Sequence, residues 1–231
     1  MRLAQLVVAL LIAAAIASAS APTAGAIDPS NFTAHVDNPW LPFVPGTAFV
    51  YSGVKDGKPT RDVVTVTHQT ALIEGVPCIA IHDDLFEQGR LEERTTDWYS
   101  QDRQGNVWYF GEATAELDLH GKVTSREGSW RAGVDGARPG IFMPGRPSVG
   151  VSGRQEYYKG HAEDHFRVVS QNATVRVPYL VSTHALETVE WTPLEPGVLD
   201  QKLYVRGIGN VKEASKRGPV ERNVLVSVTH G

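Results

Sequence analysis

The stretch His161-Ala162-Glu163-Asp164-His165 brings two imidazoles and two carboxylates together within five residues. If residues 161 to 168 are extended, successive side chains alternate, so His161, Glu163, His165 and Arg167 share one face and Ala162, Asp164, Phe166 and Val168 the other. Two imidazoles and a carboxylate at i, i+2 and i+4 could chelate Zn or Fe(II) and leave positions open for water or substrate. On that reading the chain is a metal-dependent, hydrolase-like enzyme. His161 and His165 are metal ligands, and Glu163 is a third ligand or the general base of a metal-activated water. The order is not HExxH, whose glutamate directly follows the first histidine. The plainer reading is a polar strand face carrying polar residues. Lys159, Asp164 and Arg167 make this whole neighbourhood charged, and the plainer reading is the preferred one.

A second constellation lies just upstream. Residues 127 to 154 hold seven glycines and three prolines among 28 residues and show no alternating pattern. They are read as one long irregular loop, of the kind that serves as a lid or binding segment when ordered. Trp130 stands in it where no sheet requires a large aromatic. Arg131, Arg138, Arg146 and Arg154 offer guanidinium groups suited to carboxylates or phosphates, or to pinning the loop onto neighbouring acids. Trp130, Arg138, Arg154, Glu156 and Tyr157 are the candidate ligand-binding residues. Standard enzyme signatures are missing: "GVSG" at 150–153 is one residue short of GxSxG, "GIGNVK" at 207–212 lacks a third glycine, and there is no P-loop. No catalytic residue is assigned, and a non-enzyme is favoured.

The elements that must position these residues are strands. "TAFVYSGV", "RDVVTVTHQTALI", "VPCIAIHDDLF", "LEERTTDWYS" and "NVWYFGEA" follow one another with Gly beside Asp, Glu or Gln at the joints, as tight hairpins require. After the loop the pattern resumes through "DHFRVVS", "ATVRVPYL", "THALETVEW", "QKLYVRG", "NVKEAS" and "RNVLVSVT". No window sustains an amphipathic helical period. The expected fold is mainly β: a single antiparallel meander forming a strongly curved or barrel-like sheet, with the 127–154 loop crossing between its halves. About a dozen strands cannot stay flat, because twist accumulates until the sheet curls or closes. Its concave face must then hold side chains, a loop or a ligand.

Composition narrows the setting. Met1-Arg2, an apolar run to Ala17 and small residues through Ala26 form a signal-peptide pattern with Ala24-Gly25-Ala26 as the cleavage motif. Residues 27–231 are then a single secreted or periplasmic, envelope-located domain, not integral to the membrane after cleavage. Loss of Arg2 leaves 21 basic against 26 acidic residues, a net charge of −5, which disfavours nucleic acid as a partner. Cys78 is the only cysteine, so no intrachain disulfide forms and the hydrophobic core must hold the fold. The partner expected is a small molecule or an envelope ligand, and the sequence sets no oligomeric state. A scaffold without any small ligand is the third reading beside binding module and metalloenzyme.

"NPWLPFVPGT", "DWYSQDRQGNVWYFGE", "GSWRAGVDGARPGIFMPGRPSVG", "RQEYYKGHAED", "WTPLEPGV" and "YVRGIGNVKE" together resemble a family of uncharacterised secreted bacterial proteins. The C-terminal pattern "ATVRVPYL…WTPLEPGVLDQKLYVRGIGNVKE" is more distantly similar to envelope proteins with a curved sheet of the lipoprotein-carrier type. Val177-Pro178-Tyr179-Leu180 departs from the "VPAGTF" that such proteins often carry. The resemblance implies a fold and an exported setting, and carries over no catalytic residue.

Overall fold

A computed structural model describes residues 27–231; the expected signal peptide, residues 1–26, lies outside them. After a single 3-10 turn at Pro29–Asn31 every regular element is a strand. The first six are β1 (Phe32–Thr33), β2 (Thr47–Lys55), β3 (Lys58–Ile73), β4 (Val76–Glu87), β5 (Arg90–Asp102) and β6 (Val107–Leu117). Five short ones follow: β7 (Val123–Ser125), β8 (Trp130–Arg131), β9 (Arg138–Met143), β10 (Ser152–Arg154) and β11 (Glu156–Tyr157). The last five are β12 (His165–Arg176), β13 (Val181–Trp191), β14 (Leu199–Val205), β15 (Gly209–Arg217) and β16 (Glu221–His230). Among the described residues no helix is long and apolar enough to cross a membrane.

The strands form one antiparallel sheet in the order β10-β12-β13-β14-β15-β16-β2-β3-β4-β5-β6-β9-β11. Within each half the order is that of the chain, and β16 pairs with β2 to join the halves. The turns follow from their residues: Asp56-Gly57 and Glu74-Gly75 both adopt positive φ at each position, the geometry whose twist suits a two-residue hairpin. The sheet curls into a nearly closed barrel with one unsealed seam, because β10 and β11 pair with β12 and β9 but not with each other. The two walls meet inside, where the Lys202 ammonium of β14 lies 5.6 Å from the Phe142 ring centroid of β9.

The 127–154 segment differs from its expected irregularity. It contains β8 and β9, which pair with β6, and β10, which pairs with β12, so it spans the seam from one edge of the sheet to the other. Two- to six-residue strands interrupted by glycine carry too little alternation to register as a pattern. Gly140 shows what the glycines permit: a Cβ there would stand 2.3 Å from the Arg154 carbonyl oxygen and 2.7 Å from that of Gln155. Backbone cannot yield as a flexible side chain does. Gly140→Ala is therefore expected to cost about 1–3 kcal/mol, read from the midpoint of urea unfolding, and an unchanged midpoint would contradict this packing.

Most of the core occupies the concave face, where Phe166, Leu186, Tyr204 and Leu225 are fully enclosed. Phe110 and Cys78, in the alternate phase to Tyr109 and Ile79, are buried on the other face, with Phe32 edge-on to Phe110. Burial pushes the Cys78 thiol up to about 12, the behaviour of a packing residue rather than a nucleophile. Trp98 and Trp108 point the opposite way from their Tyr neighbours, as alternation requires: Tyr99 and Tyr109 are inside, while Phe32 packs edge-on against Trp108 and Arg131 lies over Trp98.

Candidate functional site

Alternation along neighbouring strands puts carboxyl groups on the inward face. Asp83 of β4 stands opposite Val64 of β3, Asp97 of β5 opposite Ile81 of β4, and Glu112 of β6 opposite Asp97. The register thus lays an acidic belt across the concave wall, with Asp62 of β3 at one end. On the far wall β14 contributes Lys202 and Tyr204, and β15 contributes Glu213. Between these walls lies a partly open cavity of about 160 Å³. Asp62, Asp83, Asp97 and Glu213 supply its acidic lining, Asn210 and Asn223 its amides, and Phe43, Phe49, Tyr51, Tyr99, Phe142 and Tyr204 its aromatic lining. The rest of the bowl is filled from within: Tyr99 stacks on Tyr109 at 4.7 Å, and Phe142 and Trp130 pack edge-on against them.

The acids outnumber the cations around this cavity. Lys202 is the ammonium of the interior, 3.0 Å from Glu190 and 3.7 Å from Glu213. Burial works against its charge, yet Glu190 and Glu213 more than offset this and hold its pKa well above the ordinary value. The Tyr109 hydroxyl lies 2.5 Å from an Asp97 oxygen and 2.8 Å from a Glu112 oxygen. A phenol has one hydrogen to donate, so two such contacts need a proton on one of the two carboxyls. Electrostatics agrees: burial pushes Asp97 up to about 7 and Glu112 up to about 8, helped in the latter by the Asp97 charge. Burial likewise lifts Glu213 to about 7, Glu156 to about 9, and raises both Asp62 and Asp83, the latter held higher by hydrogen bonding to Asp62 and by its charge. Asp62 Oδ1 is buried with no hydrogen-bond partner.

The residues singled out in the sequence lie elsewhere. The extended reading of 161 to 168 needs correction at its start: Tyr158 to Ala162 is a turn closed by bridging of Tyr158 and Ala162, and the strand begins at His165. Gly160, at φ 80°, is what lets the chain reverse there. From His165 onward the alternation holds, with Phe166 and Val168 buried and Arg167 exposed. His161 stacks on Tyr158 with Nδ1 3.3 Å from Glu127, Glu163 accepts from the Gly160 N–H, and His165 donates to the Glu163 carbonyl while its ring stacks on Trp191. The three side chains thus turn to separate partners, and among the described residues no three His, Cys, Asp or Glu side chains are grouped to hold a metal ion.

None of Trp130, Arg138, Arg154, Glu156 and Tyr157 lines the cavity. Trp130 is a core residue, 4% exposed; Glu156 is buried; Arg154 is exposed and lies 4.4 Å over the Tyr157 ring; Arg138 is exposed beside Tyr157 in the β9–β11 pair. Arg131, not one of the five, pins the loop by donating to the Leu72 carbonyl. The cavity acids went unmarked in the sequence although a signal was present: Asp83 continues the period-2 row Ile79, Ile81, and Asp97 falls in phase with Tyr99.

No family model matches the chain, and no curated protein matches it. Two solved structures are similar. One, from Bacteroides fragilis and named as an exported protein with a YmcC-like fold, has 15% identity and a TM-score of 0.48, covering 82% of this chain and 98% of its own. The other, named as a lipoprotein from Parabacteroides distasonis, has 8% identity and a TM-score of 0.39 over the same shares.

Proposed function

We propose that this chain is an exported binding module whose concave interior takes a small ligand in the cavity between β2–β5 and β14–β15. The signal-peptide pattern supports export. The observation that carries the binding reading is the cavity itself: a space left unfilled in an otherwise packed bowl, with apolar walls and a few convergent polar groups, which is the usual character of a ligand pocket. Its 160 Å³ falls below the ~300–1,000 Å³ of sites for drug-sized molecules and close to the ~150 Å³ that accepts one benzene ring. The ligand is therefore of single-ring size, or a short chain. The separate partners of His161, Glu163 and His165 favour this reading over a metal-dependent hydrolase.

The test is ligand-observed NMR with benzylamine, benzyl alcohol and benzoate on the wild type and on Val64→Trp, which fills the cavity from β3. At least one compound is expected to bind the wild type saturably and to lose binding in a folded Val64→Trp protein. If all three behave alike toward both proteins, the cavity is not a binding site.

A further inference from the structure

Resting on that reading, we infer that the ligand is a small organic cation, a protonated amine whose ammonium lies among Asp62, Asp83 and Asp97 and whose apolar body packs against Phe43, Phe49 and Phe142. The cavity wall contains four carboxyl groups and no lysine, arginine or histidine. Lys202, on the far wall, is already engaged with Glu190 and Glu213. Asp62, Asp83 and Asp97 therefore line the space with no salt-bridge partner among the described residues; Asp97 accepts a hydrogen bond from Tyr109, and Asp62 Oδ1 is buried without one.

An ammonium supplies what this wall lacks. Its N–H groups donate to carboxylates, and charge-assisted hydrogen bonds of this kind are roughly twice as strong as neutral ones. Six aromatic side chains around the same space add attraction for a cation over a ring face. An anion would meet four carboxyl groups against the Asn210 and Asn223 amides as donors, with no basic side chain in the wall to hold its charge. A hard metal cation is a poor fit, because Ca²⁺ asks for about six to eight oxygen ligands and most of this lining is carbon.

Isothermal titration at pH 8 with benzylamine, benzyl alcohol, benzoate and calcium chloride tests the class of ligand. Benzylamine is expected to bind about tenfold or more tightly than benzyl alcohol, the scale of one added hydrogen bond to a charged group, and benzoate more weakly than either. Asp97→Asn and Asp62→Asn should each narrow the gap between amine and alcohol. Equal affinity for amine and alcohol would overturn the cation inference and leave the cavity a binding site. Tightest binding of benzoate, or calcium binding that displaces benzylamine, would overturn it as well. Binding of none of the four would remove both the inference and the binding reading beneath it.

Discussion

Thermal unfolding of the free protein is expected at a higher temperature at pH 5 than at pH 9, and Glu156→Gln or Asp97→Asn should recover much of the difference. The charged groups that act on one another inside are Asp62 on β3, Asp83 on β4, Glu93 and Asp97 on β5, Glu112 on β6, Glu156 on β11, Asp164 just before β12, Glu190 on β13 and Glu213 on β15, with Lys202 on β14. In the unfolded chain such carboxyls titrate near 4. In the folded chain burial holds Asp97 and Glu213 at about 7, Glu112 at about 8 and Glu156 at about 9. The folded state therefore binds more protons than the unfolded state as pH rises above about 4, so stability falls with rising pH. The contribution is complete below the unfolded pKa and is lost as pH climbs through 7 to 9. One pKa unit corresponds to about 1.4 kcal/mol, and coupling among the acids reduces what any one contributes, so each amide variant should gain about 2–4 kcal/mol at pH 9 and little at pH 5. Melting curves at pH 5, 7 and 9 read this directly. A melting temperature flat or rising over that range would contradict the protonated interior.

Trp130→Ala is expected to be the most damaging single truncation in the 127–154 segment, at about 3–5 kcal/mol. The indole is 4% exposed, packs edge-on to Tyr109 at 5.3 Å, and sits on β8 where the backbone pairs with Glu112 of β6. Its removal opens a void beside the acidic belt and loosens the segment that spans the seam. Urea unfolding with circular dichroism gives the number. A cost under about 1 kcal/mol would mean the segment rests on the barrel without closing its core.

The strands and their turns were legible because they depend on neighbours in the chain. Asp56-Gly57 and Glu74-Gly75 turn where their backbone permits positive φ, and Val64, Val66, Ile79 and Ile81 alternate inward along β3 and β4. The cavity was not legible in this way. Asp62 and Glu213 lie 151 residues apart in the chain and line one space only because the sheet curls far enough to set β3 against β15. A carboxylate in a strand ordinarily marks the solvent face, so Asp83 and Asp97 read as polar positions although each is in phase with buried neighbours. At His161 and His165 the close spacing allowed convergence as the less favoured reading; His161 lies in the Tyr158–Ala162 turn and His165 opens β12, and each ring stacks on its own aromatic partner. The short strands of 127–154 escaped notice because their glycines serve close backbone approach, which leaves no side-chain period to detect.

Titration of the side-chain carboxyl carbons by ¹³C NMR, with and without saturating benzylamine, bears most directly on the acid-rich interior. In the free protein Asp97 is expected to titrate at about 7 and Glu112 at about 8, and amine binding should pull the Asp97 midpoint downward as the ammonium stabilises its charge. Midpoints near 4 in the free protein, unmoved by the amine, would contradict the account.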